Sequence, residues 1–298
     1  MQDSVLISTG LPIALAIIMF GLGLSLTPGD FARVARTPRA VIGILAVQIL
    51  VLPVIAFGLV LVFDLPPLLA VGVMLLAASP GGTTTNLFSH LFRGDVALNI
   101  SLTAINSVLA AFTIPLITNL AIGHFDADGA LGLQFTKVVQ VIALVLAPVA
   151  IGMVVRSRWS GFARSADRPV RIFSIAVLVV VTTGAIIAER DNVVDYARQV
   201  GVVVSLFCLI SLSCGFGAAL LLRLTRPQAV AASMEIGVHN TTIALTIALS
   251  VLDNAMVAVP AAVYSIVMYI LTPAFGWVIT REPRTATADD DAVGLRES

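Results

Sequence analysis

The stretch LLAVGVMLLAASPGGTTTN, residues 68–86, decides the fold. It begins as an uninterrupted apolar helix, stops at Ser79-Pro80-Gly81-Gly82, and resumes with three threonines and Asn86. Pro and Gly release backbone groups that hydrocarbon cannot satisfy, so a break at this depth must face protein or a water-filled cavity. A second stretch behaves alike: AVAASMEIGVHNTTIALTIAL, residues 229–249, is interrupted around Glu235-Ile236-Gly237-Val238-His239-Asn240 and resumes with Thr241-Thr242. Each broken stretch is followed by one long apolar run, 95–122 and 254–280.

Composition names the solvent around these runs. The chain has 298 residues, 58% hydrophobic and 11% charged, with a mean hydropathy of +1.03. Soluble domains carry roughly 25% charged residues; this one has too little polar material to cover a core, and the bilayer must be its main solvent. A soluble enzyme, a nucleic-acid binder and a secreted disulfide scaffold are excluded. Cys208 and Cys214, six apart in one apolar run, give neither a metal clip nor a bridge framework and read as inert thiols away from the breaks. The start of the chain lacks a basic region and a small-residue cleavage site, so no signal peptide is expected.

A membrane-crossing helix needs about 20 apolar residues. Nine spans are expected, at roughly 5–27, 38–62, 66–92, 95–122, 134–156, 168–188, 197–223, 227–252 and 254–280, an all-α polytopic membrane protein. With the N-terminus outside, fourteen of the seventeen basic residues fall on the inner side, and only Lys137, Arg190 and Arg198 fall outside. The positive-inside rule therefore predicts N-out and C-in. The outer connections hold Asp64, Asp126, Asp128, Glu189, Asp191 and Asp253. The domain expected is one transmembrane unit over 1–284, followed by a polar, acidic, disordered cytoplasmic tail over 285–298. Each broken helix is the penultimate span of its half, and the odd offset between the four-span first half and the five-span second inverts one relative to the other. Interrupted helices in corresponding positions of inverted halves point to a secondary-transporter site.

Of seventeen acidic residues, Glu235 alone lies well inside a span. Such a group costs at least ~2.5–3.5 kcal/mol on insertion scales and needs a partner. No Lys or Arg lies near the centre of another span, which leaves a bound cation or a proton. Oxygen donors are at hand: Gln48 in mid-span, Thr85 and Asn86 past the first break, and Asn99 and Thr103, four apart on one helix face. Singly, each suits an interhelical hydrogen bond; with Glu235 and two breaks they suit a cation. His239, four residues after Glu235, either relays a proton or donates to the crossing backbone.

ASPGGTTTN (78–86), RGDVALNISLT (93–103) and MEIGVHNTTIAL (234–245), with IIMFGLGLSLTPGDF (17–31) and the mid-span Gln48, resemble the bile acid:sodium symporter family in order and spacing over nearly the whole chain. The resemblance implies core and panel domains built from inverted repeats, the first incomplete at about 1–123 and the second at about 134–280, with two discontinuous helices crossing in the core. It implies one sodium site from Thr85, Asn86, Asn99, Thr103 and Glu235. A second would come from Gln48, Glu235, His239 and the backbone carbonyls of Ile236 and Val238. The organic anion would lie beside Thr83, Thr84 and Asn240. Two departures stand out. His239 replaces a common Gln and offers only a nitrogen acceptor; Asn99 replaces a common Ser.

The function this implies is alternating-access, sodium-coupled uptake of an organic anion such as a bile acid, pantoate or a keto acid, across the plasma (inner) membrane. Sodium is the coupling ion, no cofactor is expected, and the protein is not an enzyme. The rivals are a proton-coupled or uncoupled anion carrier, and a metalloid exporter, which would present a reactive cysteine at a break.

Overall fold

The computed structural model describes residues 11–281 apart from 26, 28, 30–36, 126, 128–134, 164, 167, 168, 171, 174, 175, 177–179, 181, 182 and 184–192. The described residues are helical, with no strand among them beyond one isolated bridge. In chain order the helices are α1 (Leu11–Ser25), α2 (Pro38–Val62), α3 (Pro67–Ala78), α4 (Thr83–Leu91) and α5 (Val96–His124). There follow α6 (Phe135–Arg158), α7 (Val193–Leu221), α8 (Arg226–Gly237), α9 (Thr241–Val251) and α10 (Ala255–Thr280). The span expected at 168–188 lies largely outside the described residues, as does the acidic tail over 285–298.

Both interruptions appear where Pro and Gly place them. Chain 66–92 forms α3 and α4 with Ser79–Gly82 between them, and 227–252 forms α8 and α9 with Val238–Asn240 between them. Helices α2, α5, α10 and residues Arg198–Leu221 of α7 are long and apolar enough to cross a membrane. Their outward faces carry Leu50, Val54, Leu61, Phe112, Leu116, Leu120, Ile266 and Ile270 exposed. A face this apolar belongs in lipid, and the chain is a multi-pass membrane protein.

The broken helices occupy the interior. Every residue of α3 from Leu69 to Ala78 is buried, as is Ala229–Gly237 of α8; helices apolar all round are enclosed ones. Gly72 shows how tightly. A Cβ there would sit 2.4 Å from the Val257 carbonyl oxygen of α10, so only glycine lets the two backbones meet.

The ends of the broken segments match in pairs. Asp64 and Arg93 flank α3–α4, and Arg223 and Asp253 flank α8–α9. All four adopt left-handed backbone, at φ 48°, 58°, 56° and 52°, a region that Asp tolerates through its short polar side chain and that Arg rarely enters. In each half one end of the broken unit is turned by an Asp and the other by an Arg, in opposite chain order.

The helix starts are capped. The Asp95 carboxylate accepts from the Leu98 N–H at 2.9 Å at the head of α5. Thr225 and Gln228 form a capping box on α8. Asn240 and Asn254 accept from the N–H groups of Ile243 and Val257 at the heads of α9 and α10. The Asp95 N–H also donates to the Pro227 carbonyl at 2.9 Å, which joins the α4–α5 link to the base of α8.

Candidate functional site

The two breaks cross each other. Gly81 and His239 form an antiparallel bridge, and the Asn240 N–H donates to the Pro80 carbonyl at 2.7 Å. Backbone freed by Pro and Gly in one break is thus partly satisfied by the other. The close approach requires glycine at 81, where a Cβ would lie 2.5 Å from the Glu235 carboxyl carbon. Gly82 is less confined: a Cβ there would meet nothing nearer than 3.7 Å, with Asn240 on one side and the Thr84 hydroxyl on the other.

Glu235, in the last turn of α8, is 1% exposed. Its Oε2 accepts from the Thr103 hydroxyl at 2.5 Å and the Thr85 hydroxyl at 3.2 Å. Its Oε1 accepts from the Asn106 amide at 3.4 Å. Asn99, Thr103 and Asn106 follow one another on α5 by four and three residues, a spacing that puts all three on one helix face. The Asn99 amide donates to the Ala231 carbonyl of α8 at 2.8 Å, which fixes its Oδ1 toward Thr85.

This cluster has more acceptors than protons. The Thr85 hydroxyl has one hydrogen and four oxygen neighbours: the Gly82 carbonyl and Asn99 Oδ1 at 2.7 Å, Glu235 Oε2 at 3.2 Å and Thr103 Oγ1 at 3.3 Å. Thr103 contributes the only other hydroxyl proton in this set. Among the described residues, no Lys or Arg pairs with Glu235. No group of three His, Cys, Asp or Glu converges among them, and the donors around Glu235 are hydroxyl, amide and carboxylate oxygens, which are hard ligands.

A second group gathers at Ser79. Its carbonyl accepts from the Gln48 amide at 3.2 Å and from His239 Nδ1 at 2.9 Å. A carbonyl can only accept, so Nδ1 carries a hydrogen, and in the neutral ring Nε2 is then an acceptor. His239 Nε2, Gln48 Oε1 and Asn86 Oδ1 are buried without a hydrogen-bond partner among the described residues. Gln48 is placed by a π-helical turn, Val47–Val51, which rotates it inward. The imidazole stacks on Phe207 of α7 with ring centres 5.3 Å apart and meets the edge of Tyr264 of α10 at 5.5 Å.

The structure brings Thr85, Asn99, Thr103 and Glu235 into direct contact, and Gln48 with His239 onto one carbonyl. Ile236, in the last turn of α8, and Val238, in the second break, are buried. Thr84 and Asn240 are half-buried beside Gly82; the Thr83 side chain lies outside the described residues. Two side chains were not anticipated. Asn106 was detectable as the next polar residue on the face of Asn99 and Thr103. Tyr264, whose hydroxyl donates to the Gly237 carbonyl at 2.8 Å, resembles any aromatic in an apolar run. Cys208, expected away from the breaks, has its sulfur 4.0 Å from the same carbonyl.

An all-helical multi-pass chain whose two broken helices cross around one buried carboxylate is a membrane transporter. Residues 12–196 match the model of the Sodium Bile acid symporter family, and the chain belongs to that family. It is 31% identical over 261 residues to the sodium-dependent transporter YocS of Bacillus subtilis, covering 87% of this chain and 79% of that one. It is 27% identical over 249 residues to the human ileal sodium/bile acid cotransporter, covering 82% and 70%. It is 27% identical over 254 residues to the probable chloroplastic sodium/metabolite cotransporter BASS1 of rice, covering 85% of this chain and 62% of that protein. Family and relatives are transporters, and the protein is not an enzyme.

Proposed function

We propose that the protein couples sodium entry to the uptake of a small organic anion by alternating access across the plasma (inner) membrane, through nine spans with the N-terminus outside. The observation that carries this reading is the donor-poor oxygen cluster of Thr85, Asn99, Thr103 and Glu235 at the crossing of two broken helices. A sodium ion supplies the positive charge that the cluster lacks. Gln48, His239, Asn86 and the carbonyls of Ile236 and Val238, three of whose side-chain atoms have no partner, form the remaining cation ligands. Sodium at these positions ties α2, α4, α5, α8 and the second break together. The anion then lies against Thr83, Thr84 and Asn240, beside the positive dipole ends of α4 and α9. The polar partners there suit a carboxylate, with bile acid, pantoate and keto acid as the classes to try first.

A thermal-shift titration with sodium chloride against choline chloride at fixed pH tests the coupling ion. Sodium alone should raise the melting temperature of the wild type, and Glu235→Gln should abolish the rise. A panel of organic anions, each with and without sodium, should then yield a ligand that stabilises only when sodium is present. A wild type indifferent to sodium overturns the proposal. A proton-coupled carrier is the second reading, favoured by the imidazole where an oxygen ligand is expected; uptake that survives choline replacement would select it.

A further inference from the structure

The second break is held from outside the crossing by a donor that belongs to neither broken helix. Gly237, the last residue of α8, has a carbonyl that would bond the N–H of residue 241 in a continuous helix. That N–H donates instead to the His239 carbonyl at 3.0 Å. The Gly237 carbonyl is taken by the Tyr264 hydroxyl of α10 at 2.8 Å, with the Cys208 thiol of α7 at 4.0 Å. Tyr264 is fully buried. Its ring also meets His239 at 5.5 Å and Phe207 at 6.1 Å, so the hydroxyl cannot swing away without disturbing the packing around the imidazole.

Val238, next in the chain, leaves the helical conformation, at φ −116° and ψ 87°. The carbonyls before and after it therefore lose the common direction that they have in an α-helix. With the Gly237 carbonyl held toward α10, the Val238 carbonyl takes a different direction, beside the antiparallel crossing of Gly81 and His239. The first break has an equivalent: the Ser79 carbonyl is held by Gln48 and His239. Each break thus has one carbonyl held by side chains from outside its own helix: Ser79 in the first and Gly237 in the second.

We propose that Tyr264 is a positioning residue for the second cation subsite, aiming the Val238 carbonyl by holding that of Gly237; the assignment rests on the sodium reading above. Tyr264→Phe removes the hydroxyl and keeps the ring. In the sodium titration of the thermal shift, the wild type should respond with a slope above one, from two coupled ions. Tyr264→Phe should raise the half-saturating sodium at least fivefold and bring the slope to one. Ile114→Ala, a fully buried change in the far half of α5, should lower the melting temperature and leave half-saturation and slope in place. If Tyr264→Phe matches the wild type in both, or if Ile114→Ala shifts them equally, Tyr264 has no positioning role while the sodium reading stands. A wild type without any sodium response overturns both.

Discussion

Glu235 is stable in the membrane only because its neighbours offset the cost of placing it there. A carboxylate at this depth costs several kcal/mol, and each hydrogen bond to a charged group returns about 1.5–3 kcal/mol. Thr103 and Asn106 each give one such bond, to different oxygens. Thr103→Val keeps the shape and removes a donor at Oε2, and Asn106→Ala removes one at Oε1. Both should raise the sodium concentration for half-maximal stabilisation several-fold, Thr103→Val more than Asn106→Ala because its bond is shorter. Gly81 and Gly82 make a sharper contrast. Gly81→Ala drives a methyl into the Glu235 carboxylate at 2.5 Å, whereas Gly82→Ala meets ordinary contact distances at 3.7 Å. Sodium-dependent stabilisation should vanish in the first and persist in the second; equal behaviour would mean that the crossing is looser than these distances imply. The residues visible from sequence were the polar ones stranded in apolar runs, Glu235 above all. Tyr264 was not, because its role is a bond to a carbonyl 27 positions away, and no spacing rule encodes that.

At the scale of elements, the breaks were legible because Pro80, Gly81, Gly82 and Gly237 cannot continue a helix without loss. The π-helical turn of α2 was not anticipated, although its cause is in the sequence. Pro53 follows two residues after Val51 and would crowd the carbonyl four positions earlier in a regular α-helix. Widening the turn, with the Leu52 N–H reaching back to Val47, relieves that conflict and turns Gln48 inward. The other π turn, Ile247–Val251, ends α9 in the same way, with the Leu252 N–H on Ile247, and has no proline beside it. Helix caps separate stability from transport. Asn240 and Asn254 both accept from the N–H three residues on, and replacing either by Ala should cost about 1 kcal/mol. Only Asn240 stands beside Thr84 at the crossing. Asn240→Ala should therefore weaken the half-saturation for the transported anion in proteoliposomes, and Asn254→Ala should leave it unchanged at matched protein content. If both variants weaken it alike, Asn240 serves as a cap alone.

For the whole molecule, the scarcity of charge becomes a statement about energy coupling. The left-handed residues at the ends of the broken units are Asp64 and Asp253 at one end, Arg93 and Arg223 at the other. In the proposed orientation this puts both arginines inside and both aspartates outside, as the overall distribution of basic residues does. Over a complete cycle the protein's own charges return to their starting places, so the charge moved is that of the cargo. Two sodium ions entering with one monoanion carry one net positive charge inward per cycle. A potential of 100 mV, inside negative, contributes about 2.3 kcal/mol per charge, which multiplies the attainable accumulation by roughly 50-fold at 1.4 kcal/mol per factor of ten. Proteoliposomes with a fixed sodium gradient should thus take up the anion severalfold faster when a potassium diffusion potential, negative inside, is imposed with valinomycin. Dissipating that potential should remove the gain and leave the sodium-driven part. Indifference to the potential while sodium still drives uptake would mean one sodium per anion. The cluster around Glu235 would then be the ion site, and the group at Gln48 and His239 would hold the crossing together without carrying charge.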